Sequence, residues 1–292
     1  MLDEETMRFK LPFDIKTSHR IEQFEFQGSN AIDFQIDGSE FLVQYKNEDK
    51  LVKLNLETKY LEVECEESNL EDLVSRIESI LSFKIDEDNK NRHYGCYFLE
   101  IDRFKISIIN NGNPIGLRDS LSITSTKSKK ISFNNYFEYD EFILSTYYEA
   151  LKAPSSRLKF FNLALILEYI ESSSVYKKMF LTEDNFLFTK GAFDELKSDF
   201  SQEQISRLKS LINSPTYTKQ SRKNKLYELL KKYDLLNIKY IGNKKLTIDD
   251  IGHILQLRNK IFHSSSVEFE NVLWYQLFPL IENIISQGKK FD

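Results

Sequence analysis

The sequence predicts an α+β protein made of a β-rich N-terminal domain with one helix, residues 1–136, followed by an all-α helical bundle, residues 137–292. In the first part, apolar and polar residues alternate in short runs between turn residues, as in antiparallel strands. In the second part, apolar residues recur every three to four positions, the spacing of amphipathic helices. At 292 residues the chain is long enough for two domains, each with its own core.

Four alternating runs within residues 18–66 predict an antiparallel meander: IDFQID, EFLVQY, KLVKLNLE and YLEVEC. Turns are expected at residues 28–30, 37–39 and 47–49, which are rich in Gly, Ser, Asn and Asp. Ser68 and Glu71 predict the start of a helix, and further extended segments are expected at 94–102, 104–109 and 121–133. His19 and His93 have no partnered acid, so we interpret them as surface or structurally satisfied histidines.

The helical part is predicted to contain helices at residues 139–152, 155–173, 201–212, 221–236, 247–263 and 269–286. Pro154 separates the first two, Pro215 ends the third, and Pro279 should kink the last. The helix at 155–173 is apolar on nearly every side, which predicts a central position in the bundle. Residues 186–200 are ambiguous.

Composition excludes several classes of protein. With 41% hydrophobic and 29% charged residues, the chain is typical of a folded protein. The longest apolar run, LALILEYI, contains Glu168 and is too short to span a bilayer, and the acidic start MLDEET does not resemble an export signal. Cys65 and Cys96 are too few for a disulfide framework or a four-ligand zinc site. We therefore expect a cytoplasmic protein with no membrane association, no metal and no cofactor.

Charge is distributed unevenly along the chain. Residues 1–136 contain 18 Lys and Arg against 25 Asp and Glu, whereas residues 137–292 contain 22 against 20. The segment from Lys219 to Lys245 has nine basic and two acidic residues, interleaved with three tyrosines, and Tyr217 lies just before it. Basic residues among aromatics suit phosphates and unstacked bases, which predicts RNA contacts by four lysines: Lys223, Lys225, Lys231 and Lys232. The alternative is a solvated helix face with the leucines at 226, 229 and 230 turned inward.

The segment TIDDIGHILQLRNKIFH, residues 247–263, contains the candidate catalytic residues Arg258, Asn259 and His263. Thr247 and Asp250 form a capping-box-like start. On a helical wheel Arg258 falls in the middle of the apolar stripe, whereas Asn259 and His263 share one flank. A guanidinium on a buried face requires a carboxylate, a phosphate or a water-filled crevice. A cation near a helix C-terminus also has a simpler explanation, since it complements the helix dipole.

Glu168 is the second charge predicted on an apolar face, which it shares with Leu158, Phe161 and Leu165. A carboxylate in such a position must be paired to be tolerated. The equally misplaced Arg258 is the obvious partner, so we predict that the carboxylate of Glu168 lies within hydrogen-bonding reach of Arg258 or Asn259.

The stretch LRNKIFH, on a capped helix followed by SSS and another amphipathic helix, resembles the R-x4-6-H signature of HEPN domains in its RNxxxH form. It looks most like the ApeA-like HEPN group, and the segment SSRLKFFNLALILEY is similar to that group's opening helix. The resemblance covers roughly residues 137–292, and the first part resembles no family. It implies a metal-independent endoribonuclease with a composite active site at a homodimer interface, which leaves a 2′,3′-cyclic phosphate and a 5′-OH.

Metal-free cleavage of RNA needs a base for the 2′-OH, an acid for the departing 5′ oxygen and a cation for the phosphorane. His253, on the polar side of the helix away from Arg258, leaves His263 as the one usable histidine of the helical part. Two symmetry-related copies would therefore be needed to supply both an acid and a base.

The expected function is cleavage of RNA, with tRNA as one candidate substrate, in antiphage abortive infection or as a toxin. The expected partners are RNA, a second copy of the chain and an antitoxin, a sensor or a phage-derived trigger, and the N-terminal domain would sense, restrain or recruit. The alternative is a non-catalytic HEPN module that acts as a dimerisation or nucleotide- or RNA-binding scaffold. In that case Arg258 is a structural partner of Glu168, and His263 caps a helix.

Overall fold

The structure is a computed structural model, and it describes residues 6–19, 33–37, 40–46, 48–55, 58–87, 89, 92, 95–109, 128–132, 139–180, 200–212, 221–239, 243–263, 267–288 and 291. Within these ranges, the side chains of residues 19, 33–37, 128–132, 208–212, 243, 262 and 263 lie outside the description. The chain groups into two compact units, residues 1–163 with 285–289 and residues 164–284 with 290–292. The first contains an antiparallel sheet and the second is mainly helical, in agreement with the predicted α+β class.

The first unit is built on a six-stranded antiparallel sheet in the order β3-β4-β5-β1-β6, with β7 paired to β1. Its strands are β1 (Met7–His19), β3 (Glu40–Tyr45), β4 (Glu48–Asn55), β5 (Tyr60–Cys65), β6 (Gly95–Ile101) and β7 (Ser107–Ile108). The meander predicted from the alternating runs is confirmed for β3, β4 and β5.

The first strand of the predicted meander pairs with a different strand from the one predicted. Strand β2 (Asp33–Asp37) pairs in parallel with β8 (Ser128–Ser132) in a separate two-stranded sheet and does not join β3. The alternation of side chains specifies which face of a strand is buried, but it does not name the neighbouring strand.

Strand β1, which lies between β5 and β6, was not predicted, and it contains Pro12, a residue that is normally confined to edge strands or bulges. Pro12 lies where β1 changes partners. Residues 7–12 pair with β5, and residues 13–19 pair with β6. Its missing N–H therefore falls at a junction between two ladders, while Phe9, Leu11 and Phe13 are buried in the core.

Two helices pack with this sheet, α1 (Leu70–Asp86) and α2 (Glu141–Lys152). Helix α1 was predicted to open at Ser68, but a 3-10 turn, Glu67–Asn69, comes first and the helix begins at Leu70. The segment 104–109, predicted to be extended, forms a 3-10 turn, Arg103–Lys105, before the short β7. The expected domain boundary between residues 136 and 137 lies outside the described residues and stays a prediction. Helix α2 belongs to the same compact unit as the sheet, because it contacts β6 and β1.

The remaining helices are α3 (Ser156–Ser172), α4 (Ser174–Phe180), α5 (Gln202–Ile212), α6 (Arg222–Lys232), α7 (Ile248–His263), α8 (Glu270–Val272) and α9 (Phe278–Ser286). The grouping of the chain divides α3 between Leu163 and Ala164. The ambiguous residues 186–199 lie outside the description. None of the helices in the described ranges combines the length and the apolar character that a bilayer-spanning segment needs.

Two local features refine the predicted helical pattern. A π-helical turn, Leu273–Leu277, ends two residues before Pro279, and the kink expected at Pro279 stays a prediction. A hairpin of β9 (Asn237–Lys239) and β10 (Asn243–Lys245) joins α6 to α7, where the sequence predicted only a short connection. Strands of three residues are too short to show a reliable alternation, which explains the omission.

Candidate functional site

Helix α7 carries the candidate catalytic residues, and the predicted capping box fixes its start. The Asp250 carboxylate accepts hydrogen bonds from the backbone N–H and the hydroxyl of Thr247, both at 2.8 Å. The Thr247 hydroxyl in turn accepts from the backbone N–H of Asp250 at 3.2 Å. This reciprocal arrangement satisfies two backbone N–H donors and one hydroxyl donor at the first turn and defines the start of the helix.

The buried face of α7 consists of Ile251, Ile254, Leu257 and Ile261. Arg258 belongs to this face, as predicted, since Ile251, Ile254 and Ile261 lie seven, four and three residues from it, but 31% of its side chain is exposed. Arg258 is therefore accessible to solvent without leaving the packed side of the helix.

The other two motif residues lie outside this buried face. Asn259 is exposed, and its Oδ1 accepts a hydrogen bond from Nη1 of Arg258 at 3.3 Å. His263 is the last residue of α7, and its side chain lies outside the described residues. His253 is exposed, as its position on the polar side predicted.

Arg258 and Glu168 form the predicted ion pair. Nε of Arg258 lies 2.9 Å from Oε1 of Glu168, so the prediction that these two charges compensate each other is confirmed. The pair is nevertheless half-exposed, at 31% of each side chain. Breaking a buried pair costs about 3–5 kcal/mol, but exposed pairs contribute roughly 0.2–1 kcal/mol, and we expect a value near the upper end of the second range.

The helix face around Glu168 is also more open than predicted. Leu158 and Leu165, which share this face of α3, are 47% and 43% exposed. The buried side of α3 is instead formed by its other apolar residues: Phe160, Leu163, Ala164, Ile166, Leu167 and Ile170. An almost wholly apolar helix gives no contrast from which the sequence can tell its buried face from its exposed face.

Two residues that the sequence analysis did not select complete the charged group around Glu168. The guanidinium of Arg222, at the start of α6, donates from Nε and Nη2 to the carboxylate of Glu171 at 2.8 and 2.6 Å. The same Nη2 lies 3.7 Å from Oε1 of Glu168. We call Glu168, Glu171, Arg222 and Arg258 the arginine–glutamate cluster. It joins α3, α6 and α7 through alternating charges.

The cluster combines two cations and two carboxylates, so it is balanced in charge. The hydrogen bonds to Glu171 raise the pKa of Arg222 above its ordinary value. A guanidinium remains protonated in either case, so both arginines are permanent cations at the protein surface. The sequence held one signal for this group, because Glu171 follows Glu168 by three residues and therefore lies on the same side of α3. Nothing in the local pattern indicated Arg222, whose role depends on the approach of α6.

The four predicted RNA-binding lysines differ in their surroundings. Lys231 and Lys232, at the end of α6, are exposed, with Nζ of Lys231 at 3.9 Å from Oε2 of Glu228 and Nζ of Lys232 at 5.9 Å from the ring centre of Tyr233. Lys223 is half-exposed and pairs with Asp249 at 3.3 Å, and the ammonium of Lys225 lies 5.8 Å from the ring centre of Phe180. Leu226, Leu229 and Leu230 are buried, as the alternative interpretation of a solvated helix expected. Lys231 and Lys232 are therefore the two most available to phosphates.

In the part of the chain that the structure describes, no group of three or more His, Cys, Asp or Glu side chains is arranged to hold a metal ion. Comparison with known proteins finds no matching family model, no matching curated protein and no matching solved structure. A functional assignment therefore rests on the motif helix and on the arginine–glutamate cluster beside it.

Proposed function

We propose that the protein is a metal-independent endoribonuclease of the HEPN type, with Arg258, Asn259 and His263 as its catalytic residues. The observation that carries the proposal is the position of Arg258, a permanent cation at the solvent margin of α7, one residue before the exposed Asn259. His263 ends the same helix five residues later. A partly exposed cation that shares a helix with a polar group and a histidine suits the recognition and cleavage of a phosphodiester.

The roles of the three residues follow from their chemistry. His263 transfers a proton, as the base for the 2′-OH or the acid for the 5′ oxygen. Arg258 stabilises the negative charge that develops on the phosphorane. Asn259, whose Oδ1 accepts from Arg258, orients the histidine or hydrogen-bonds the phosphate. The attacking 2′-OH then closes a 2′,3′-cyclic phosphate and releases a 5′-OH.

A complete site requires a second copy of the chain. In-line displacement places the attacking and leaving oxygens on opposite sides of the phosphorus, so the base and the acid must approach from two directions. Each chain supplies one suitable histidine, and a twofold axis beside α7 would bring two of them together with two arginines. The active form is therefore a homodimer through α7.

The biological setting follows from the HEPN resemblance. Such an enzyme would act in antiphage abortive infection or as a toxin, on RNA substrates among which tRNA is one candidate. The sheet-containing unit would then sense, restrain or recruit, and an antitoxin, a sensor or a phage-derived trigger would control cleavage.

A second function is favoured by a specific observation. Arg258 is already paired with Glu168 at 2.9 Å, which is what a non-catalytic HEPN module would need if this arginine were structural. Such a module would serve as a dimerisation scaffold or bind nucleotides or RNA without cutting them. The partial exposure of the pair favours the enzyme, because it leaves the guanidinium of Arg258 accessible to a phosphate.

Incubation of the purified protein with total RNA and with tRNA, in the presence and absence of EDTA, separates the two functions. We expect cleavage in both conditions, with a 2′,3′-cyclic phosphate at the new 3′ end, because protein side chains supply every catalytic group. Binding without cleavage would favour the scaffold. Cleavage that EDTA abolishes would indicate a metal-dependent active site other than the one proposed on α7.

Replacing Lys231 and Lys232 together with glutamine should weaken RNA binding about equally across sequences. Each lost phosphate contact lowers the salt dependence for single strands by about 0.7, so we expect the slope of log K against log salt to fall by about 1.4. The matched control is the double replacement of Lys177 and Lys178, two exposed lysines of α4. Equal effects of the two double variants would show that α6 contributes only general charge.

A further inference from the structure

Oε1 of Glu168 is shared between two arginines. It lies 2.9 Å from Nε of Arg258 and 3.7 Å from Nη2 of Arg222. The first distance is that of a direct ion pair, and the second is just beyond hydrogen-bonding range. A small rotation of the glutamate side chain would therefore move this oxygen from one arginine to the other.

Hydrogen bonds to Glu171 keep the guanidinium of Arg222 close to Glu168. Its Nε lies 2.8 and 3.1 Å from the two carboxylate oxygens of Glu171, and its Nη2 lies 2.6 Å from one of them. Glu171 is only 12% exposed and stands on the same helix as Glu168, so Arg222 stays beside Glu168 whichever partner Glu168 takes. The side chain of Glu168 can thus remain paired while Arg258 changes its partner.

A phosphate that approaches Arg258 must compete with the carboxylate of Glu168, since both are anions and would lie within a few ångströms of each other. We propose that Arg222 is a positioning residue of this site, which receives Glu168 when Arg258 binds a phosphodiester of RNA. This inference rests on the proposed function of Arg258. Arg222 lowers the free-energy cost of substrate binding because it pairs with the Glu168 carboxylate when Arg258 releases it.

The test is a double-mutant cycle on binding of a single-stranded RNA that carries 2′-O-methyl groups and so resists cleavage. Arg222→Gln leaves Arg258 as the one arginine that can pair with Glu168. We therefore expect RNA binding to weaken by about threefold to fivefold, the range of a partly exposed ion pair. Glu168→Gln removes the competing charge and should tighten binding. In the Glu168→Gln background, Arg222→Gln should then have little effect.

Equal weakening by Arg222→Gln in both backgrounds would overturn the proposal, because it would mean that Arg222 contacts RNA directly or acts only on the fold. Arg222→Lys keeps the charge and should bind nearly as the parent does. The matched control is Arg207→Gln, which removes an arginine from an exposed ion pair with Glu203 on α5 and should leave binding and its response to Glu168→Gln unchanged.

A second measurement does not depend on RNA. Solvent exchange of the Nε–H of Arg258, followed by ¹⁵N NMR of the full chain, should slow in Arg222→Gln because Glu168 is then held by Arg258 alone. An unchanged exchange rate would overturn the proposal. A slowed rate in a protein that binds no RNA would instead refute the proposed function while the coupling between the two arginines stands.

Discussion

Replacing His263 with alanine should reduce RNA cleavage by about 10²–10⁴-fold, because proton transfer by a positioned side chain typically contributes that much. The variant should still bind RNA, since the phosphate contacts of Arg258 and α6 remain. Single-turnover cleavage of a labelled RNA, together with a binding assay on the same RNA, measures both effects. In cells, the same change should relieve any toxicity that the parent protein causes.

His253→Ala is the matched control, since this histidine is exposed on the other side of the same helix and should be dispensable. Co-refolding the parent with the His263→Ala chain in varying proportions, at constant total protein, tests the composite site. If each site needs a histidine from both copies, mixed dimers are inactive and total activity falls as the square of the parent fraction. A linear decrease, or a monomer that still cuts RNA in a sedimentation experiment, would contradict the dimeric mechanism.

Arg258→Ala should lower the rate of cleavage by about 10²–10³-fold, comparable to the loss of one oxyanion-stabilising donor. Arg258→Lys should recover only part of this loss, because an ammonium cannot reproduce the planar arrangement of guanidinium donors around a phosphate. Neither change should unfold the protein, since the pair with Glu168 is half-exposed and contributes roughly 1 kcal/mol at most. Circular dichroism and urea unfolding check the fold, and single-turnover kinetics check the rate.

Arg207→Ala is a suitable control for the removal of a helical arginine, because its ion pair with Glu203 is highly exposed and lies on α5. DNA, and RNA with a 2′-O-methyl at the cut site, should resist the parent enzyme, since both lack the attacking hydroxyl. An Arg258→Ala, His263→Ala double variant that cuts as fast as the parent would show that the active site lies elsewhere on the chain.

The sequence predicted features that depend on short-range patterns. The capping box predicted at Thr247 is present, since it involves residues three positions apart whose geometry a single helical turn determines, and Ser201 and Gln204 exchange the same kind of bonds at the start of α5. The meander of β3, β4 and β5 follows for a similar reason, because each strand pairs with its neighbour in the chain. Helices α2 and α3 begin within two residues of their predicted starts.

The sequence was less informative wherever a partner from a distant part of the chain decided the outcome. It did not indicate that β1 pairs with both β5 and β6 or that β2 pairs with β8, about 95 residues away. It placed Arg258 and Glu168 on buried faces, whereas both are half-exposed. The exposure of a residue at the edge of a helix depends on how closely the next helix approaches, and periodicity alone does not contain that distance.

The candidate site also combines features that short-range patterns determine with features that depend on distant parts of the chain. By itself the sequence determined the motif helix, the order of Arg258, Asn259 and His263 on it, and the pairing of Arg258 with Glu168, because an uncompensated charge among apolar residues requires an opposite charge. Only the tertiary structure brought Arg222 to Glu168 and Glu171, through the approach of α6 to α3. Arg222 is one of nine basic residues in its segment, and sequence offers no reason to prefer it over the others. Its position follows from packing of the buried leucines of α6, and packing is a property of the whole fold.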